Sequence, residues 1–294
     1  MPNQASDLAV GAVRRPAPVF GQWCEGLVQT GRMRTELVTR PGDPDRPNED
    51  FAAVGLPASG QGGALVVLDG VTPPKGDAGC RHSVPWFTAR LGGALTELSV
   101  SQPDVTLPEV LTHAIRRTAA AHADTCDLSH PRTPQATVVL ARWSAHTVEY
   151  LVLSDSALLL QAPTGEVTAV LDDRLSRIPM ASLATDAVAD ATVRNKEGGF
   201  FTAAADVSVA RRAVTGTLPR RDVRALAALT DGAARWTEKF HQGGWTDLFT
   251  LVRKEGAESL VERTRALETA DAENRTHPRR GKTHDDATVV FVEL

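Results

Sequence analysis

Cysteine is scarce in this chain of 294 residues: only Cys24, Cys80 and Cys126 occur. Three scattered cysteines without a Cys-x-x-Cys pair are too few for a disulfide framework or a zinc site. The odd count suits a reducing compartment. Cys80-Arg81 lacks the Cys-x5-Arg spacing of a loop that wraps phosphate on a cysteine nucleophile, so a neutral thiol is expected at Cys80. No apolar run approaches the about 20 residues of a membrane span. No apolar segment follows the N-terminal charges, so a secretory signal is not expected. Excess positive charge is lacking too, with 32 basic against 36 acidic residues and a net charge of −4. A nucleic-acid partner would call for a basic face. The basic pairs, such as Arg116-Arg117 and Arg220-Arg221, are scattered. These absences leave a cytoplasmic globular protein with no membrane or nucleic-acid partner as the expectation. A content of 42 % hydrophobic and 23 % charged residues agrees.

What the chain does have is four acidic islands: Asn48-Glu49-Asp50, Asp69-Gly70, Asp231-Gly232 and Asp285-Asp286. Three of them adjoin apolar runs, Ala64 to Leu68, Leu226 to Leu229 and Ala287 to Val292. A single Asp-Gly is a turn signal. Several carboxylates at the ends of buried strands, drawn from distant parts of the chain, point instead to one shared site. Oxygen ligands without His or Cys favour hard cations such as Mg²⁺ or Mn²⁺. Such a centre suits hydrolysis of a phosphate ester.

Residues 1–33 read as an N-terminal extension, broken by Pro2, Pro16 and Pro18, with Phe20, Trp23 and Leu27 able to dock on the body. From residue 34 onward the pattern reads as one domain. Strands are expected at Arg34–Thr39, Phe51–Val54, Gly63–Leu68, Ala136–Trp143, Val148–Leu153, Ala157–Gln161, Val167–Leu171, Arg224–Leu229 and Thr288–Val292. Helical periods run over His82–Leu98, Leu107–Ala123 and Trp245–Leu267. The stretch from Leu175 to about Thr215 reads as helical or irregular. Strands in runs followed by helices in runs predict an α+β fold, a β-sandwich flanked by helices.

Five motifs stand in a fixed order: Arg46-Pro47-Asn48-Glu49-Asp50, Leu68-Asp69-Gly70, Leu153-Ser154-Asp155-Ser156, Leu229-Thr230-Asp231-Gly232 and Asp285-Asp286-Ala287-Thr288. Together they resemble the PPM (PP2C-type) serine/threonine phosphatases over about residues 34–294. The resemblance implies a central antiparallel β-sandwich with helices on both faces. By position, Asp69 is similar to the aspartate that bridges two ions, and the Gly70 carbonyl to a further ligand. Asp231 and Asp285 complete the first site by that likeness. Asp50, with Glu49 beside it, serves the second, and Asp155 a labile third. The implied cofactors are two or three Mg²⁺ or Mn²⁺ ions, and the implied reaction is attack by metal-activated water on a phosphoprotein. A monomer is expected.

The chain also departs from that pattern. Val71-Thr72-Pro73-Pro74 replaces a glycine-rich turn and its His, and His82 nearby reads as a surface residue. Ser154 replaces a glycine, and Asp286 replaces an asparagine, adding charge beside Asp285. The family's phosphate-binding arginine falls on Asp45. Arg46, one step away, is the candidate for that role through its planar fork, with Arg40 as competitor. A small phosphorylated metabolite as substrate, or a silent binding module of the same fold, are the alternative readings.

Overall fold

The computed structural model describes residues 33–294 apart from 58, 59, 61, 74, 75, 77 and 275–281. The N-terminal extension and Cys24 lie outside the described residues.

Ten strands form two five-stranded antiparallel sheets. The first sheet is ordered β1 (Arg34–Arg40), β10 (Ala287–Glu293), β9 (Ala225–Leu229), β6 (Ala157–Gln161), β7 (Val167–Val170). The second is β2 (Phe51–Gly55), β3 (Gly63–Leu68), β4 (Val138–Trp143), β5 (Thr147–Leu153), β8 (Val214–Pro219). Helices α1 (Val84–Ser101) and α2 (Leu107–Ala120) cover the second sheet, and α4 (Asp231–Glu238), α5 (Trp245–Glu255) and α6 (Ala257–Asn274) cover the first. A short α3 (Asp186–Thr192) lies in the segment between β7 and β8.

The strand sequences reflect this layering. Alternate side chains of a strand point to opposite faces. Val290 and Val292 of β10 join Leu65, Val67, Val139 and Leu226 between the sheets. Val289 and Phe291, one step out of phase, pack on Phe249, Leu260 and Val261. In β3, Val66 and Leu68 meet Phe87, Leu91 and Leu95 of α1. Both faces are buried, so these strands read as unbroken apolar runs rather than as alternating ones.

The expected fold class is therefore present, with local differences that include α4, where no helix was expected. The apolar period over 245–267 is two helices, because Gly256 adopts φ +96° and turns the chain. The segment from Leu175 is mostly 3₁₀ turns plus α3. Its end, at Val214, belongs to the edge strand β8, whose partly exposed residues give little apolar pattern.

Candidate metal centre

Every motif aspartate stands at a strand end or just beyond one. Asp50 precedes β2, Asp69 follows β3, Asp155 lies between β5 and β6, Asp231 opens α4 after β9, and Asp285 lies two residues before β10. Asp69, Gly70, Asp155, Asp231 and Asp285 line one cavity of about 340 Å³. Asp50 sits beside it, close enough to raise the pKa of Asp69.

The backbone around Asp69 is held from both sides. Its N–H donates to the Thr137 hydroxyl (3.1 Å), and its carbonyl accepts from the Thr137 N–H (2.9 Å). Gly70 and Gly232 are not turn glycines, since neither has a positive φ. They permit close approach: a Cβ at Gly70 would come 2.5 Å from the Glu49 carbonyl oxygen, and one at Gly232 would come 2.0 Å from that of Asp286. The two Asp-Gly pairs thus bring distant backbones together at the carboxylates.

Asp50 is fixed by two threonines. Its Oδ2 accepts from the hydroxyls of Thr230 (3.0 Å) and Thr288 (2.7 Å). Its Oδ1 is buried and has no hydrogen-bond partner among the described residues. Burial, and then the charge of its neighbours, raises the pKa of three aspartates. Asp50 is pushed up to about 8 by burial, with Asp286 and Asp231 adding to it. Asp231 is pushed up to about 7 by burial and by Asp155 and Asp285, with Asp69 hydrogen-bonded to it. Asp69 lies well above the usual carboxylate range, through burial and then Asp231, Asp50, Asp155 and Asp285. Asp155 is raised as well, chiefly by burial. A cluster of half-buried acids with an unpartnered oxygen fits a hard cation, which supplies the missing charge and accepts oxygen donors only.

Fixed cations sit at one edge of the cluster. Lys282 Nζ lies 2.9 Å from Thr72 Oγ1, 3.2 Å from Asp285 Oδ1 and 3.8 Å from Glu49 Oε2. Thr72 also donates to Glu49. Arg235 reaches Asp285 (2.7 Å) and the buried Glu268 (2.5 Å), which also takes Arg265 (2.7 Å) and His284 (2.8 Å). Glu268 thereby shares the Arg235 guanidinium with Asp285. Truncation at Glu268 should cost about 3–5 kcal/mol of stability. It should also weaken metal binding about tenfold, because Arg235 would keep Asp285 as its remaining ion-pair partner and compete harder with an ion there. Urea denaturation and isothermal titration of Glu268→Ala check both, and Glu268→Gln should lose less stability.

Asp286, expected to add charge beside the metal ligands, uses both oxygens elsewhere. They accept the backbone N–H groups of Gly42 (2.8 Å) and Glu49 (2.7 Å) and so clamp the 42–49 loop. An asparagine would offer one acceptor for those two donors. Its charge still reaches Asp50. Ser154 adopts φ +70°, a conformation glycine holds more easily, and its N–H donates to Asp172 (2.8 Å).

Arg46 is exposed in the clamped loop and lines a narrow cleft with Glu49, Lys282 and Asp286. No ion-pair partner of Arg46 occurs among the described residues. Arg40 is engaged with Glu258 (2.8 Å) on α6. Thr230, Thr288, Lys282 and Arg235 carry roles that sequence reasoning missed. The two threonines stood within the quoted motifs, while the cations carried no signal.

The cysteines require a correction. Cys80 and Cys126, scattered in sequence, are brought together by the packing of α1 on α2, with their sulfurs 2.8 Å apart. Both are free. His82 is half-buried beside them rather than a surface residue.

The sequence matches the family model of protein phosphatase 2C over residues 43–273, which is more than half of the chain. The protein belongs to that family. No curated protein sequence matches it. Among solved structures, it is similar to the serine/threonine phosphatase Stp1 of Staphylococcus aureus, at 13 % identity and TM-score 0.58, covering 89 % of this chain and 95 % of that one. It is also similar to the serine/threonine phosphatase PstP/Ppp of Mycobacterium tuberculosis, at 18 % identity and TM-score 0.56, covering 89 % and 98 %. A structure of the PstP catalytic domain with two manganese ions shows 19 % identity and TM-score 0.54, covering 89 % and 97 %. These likenesses concern the fold. Among the described residues no helix is long and apolar enough to cross a membrane.

Proposed function

We propose that the protein hydrolyses phosphoserine and phosphothreonine esters on protein substrates with the help of Mg²⁺ or Mn²⁺. The observation that carries this reading is the convergence of half-buried aspartates from five chain segments, with one oxygen of Asp50 unpartnered among the described residues. Asp69 and the Gly70 carbonyl, with Asp231, Asp285 and Asp50, would hold the ions; Glu49 would assist at the second and Asp155 at a third. Ions bound there supply an activated water and offset charge on the phosphoryl oxygens. The chain's own residues do the rest. Thr230 and Thr288 orient Asp50, and Asp286 holds the loop that carries Glu49 and Arg46. Membership of the family and the two manganese ions in PstP support the assignment.

Hydrolysis of p-nitrophenyl phosphate with and without Mn²⁺ tests the chemistry. A panel of phosphopeptides against small phosphate esters then tests the substrate class. Activity that persists in excess chelator overturns the mechanism, and preference for small esters overturns the protein substrate. A silent module is the second reading. Lys282 favours it, because its ammonium stands between Asp285 and Glu49 and supplies a tethered charge. Absence of Mn²⁺ binding would decide for it.

Arg46 is proposed to hold two phosphoryl oxygens at once. Arg46→Ala should raise KM for charged phosphate esters about tenfold, as for loss of a charged hydrogen bond, with metal affinity unchanged. Lys should restore only part, since it brings charge without the fork. An unchanged KM would remove Arg46 from the site.

A further inference from the structure

Cys80 and His82 lie in the loop between β3 and α1, and Cys126 lies in the loop after α2. The Nδ1 of His82 is 3.3 Å from the Cys126 sulfur and 3.6 Å from the Cys80 sulfur. All three atoms fall within 4.8 Å of one another. Tetrahedral zinc, with bonds of about 2.3 Å to sulfur and about 2.0 Å to nitrogen, needs ligand separations near 3.5 Å between nitrogen and sulfur. Both observed separations meet that. The sulfurs, 2.8 Å apart, would open by about 1 Å to span an ion. They are not joined in a disulfide, whose bond is about 2.0 Å.

The surroundings are those of a built site. The His82 N–H donates to the Cys80 sulfur (3.4 Å), and the Asp127 N–H ties the neighbouring loop to the Gly79 carbonyl (2.7 Å). Gly79 adopts φ +66° and passes so close to His130 that a Cβ would come 2.3 Å from the His130 Cβ. The His82 ring stacks on Trp86 at 4.1 Å, and Trp86 meets the buried His122 edge-on. His122 Nδ1 lies 2.8 Å from the Thr118 carbonyl oxygen.

We propose that Cys80, His82 and Cys126 bind a soft divalent cation, zinc, with the fourth position taken by water. Thiolate and imidazole select zinc where the aspartates select Mg²⁺ or Mn²⁺, so the two centres divide the ions by ligand softness. The zinc would pin the loop that begins at Asp69-Gly70 to the end of α2. Thr72 of that loop bonds Glu49, and Cys80 and His82 share a cavity of about 300 Å³ with Arg46, Glu49 and Thr72. A metal clasp would set the position of this loop, which replaces the family's glycine-rich turn.

The test is cobalt titration of the full chain, reduced and metal-free, with excess Mg²⁺ covering the carboxylates. One equivalent of Co²⁺ should give intense four-coordinate d–d bands and a thiolate charge-transfer band, both removed by Zn²⁺. Carboxylate-bound cobalt gives neither. Cys126→Ser should lose the charge-transfer intensity in proportion, with unchanged circular dichroism. Thiol labelling of the wild-type chain reads the same site without a variant. Zinc should protect Cys80 and Cys126. Absence of the thiolate band overturns the assignment, as does equal labelling with and without zinc. A reduced protein that binds no cobalt but forms a Cys80–Cys126 disulfide on mild oxidation overturns it in favour of a thiol switch.

Discussion

Asp69→Asn should lower phosphatase turnover by about a thousandfold or more while leaving the metal-free protein at least as stable as before. The side chain is raised well above the usual carboxylate range by burial and by four neighbouring aspartates. It is the residue that the remaining acids surround. By the proposed assignment, loss of its charge removes a shared metal ligand, and metal assistance worth several kcal/mol converts to a rate factor of about that size. The fold should not suffer. Thr137 holds the backbone of residue 69 through its hydroxyl and its N–H, and neither contact uses the carboxylate. The amide is isosteric and adds no charge to the cluster, so repulsion falls. Asp285→Asn makes the contrast. It should be as severe for turnover, but it also cuts the ion pair with Arg235, so it should lose stability without metal. Asp155→Asn should be milder for turnover, because in the proposed assignment it would hold only a third, labile ion. Turnover assays beside urea melts in chelator separate these outcomes. Near-normal turnover in Asp69→Asn would remove the centre of the mechanism.

Asp69, Asp231 and Asp285 were legible in the sequence because each adjoins an apolar run, whereas Asp155 was singled out only by the family resemblance. A run such as Gly63–Leu68 shows as a strand on composition alone, and Asp69 comes directly after it. The partners that hold the aspartates were less visible. Thr230 and Thr288 are ordinary residues of a strand end until antiparallel pairing of β9 with β10 sets them beside each other at Asp50. Asp286 read as extra charge, since nothing in its neighbourhood reveals two N–H donors from a loop more than two hundred residues earlier. Lys282 and Arg235 carry the same difficulty. A charged residue gives no periodic signal, and its role depends on what the fold places opposite. Cys80 and Cys126 were misjudged for a related reason. Spacing along the chain says little about separation when two antiparallel helices lie between the residues.

Without metal, thermal stability should fall as pH rises from about 4 to about 8, and Mn²⁺ should reverse the trend. Asp50 moves from 3.8 in the unfolded chain to about 8 in the fold, and Asp231 to about 7, both chiefly through burial. Asp69 is raised as well. A carboxyl with a raised pKa keeps its proton in the fold at a pH where the unfolded chain has lost it. The fold then binds more protons than the unfolded state, and stability declines with pH across that window. Glu109 and Asp127 do not mask the effect. Hydrogen bonds from Thr106 and Ser129 respectively lower their pKa values, so they titrate below the window. Cations replace the protons and satisfy the charge that burial leaves bare. At a hundred times the dissociation constant, the gain from binding is about 2.7 kcal/mol, or roughly 5 °C in melting temperature for a domain of this size. That gain should grow with pH, because the ion no longer competes with protons for the carboxylates. The measurement is a series of melting curves between pH 5 and 8, in chelator and in Mn²⁺. Asp69→Asn should flatten the slope in chelator, having one fewer raised carboxyl. A melting temperature in chelator that is level or rises with pH would show that the carboxylates are not clustered as described. A metal-induced gain that stayed constant with pH would place the ion away from them.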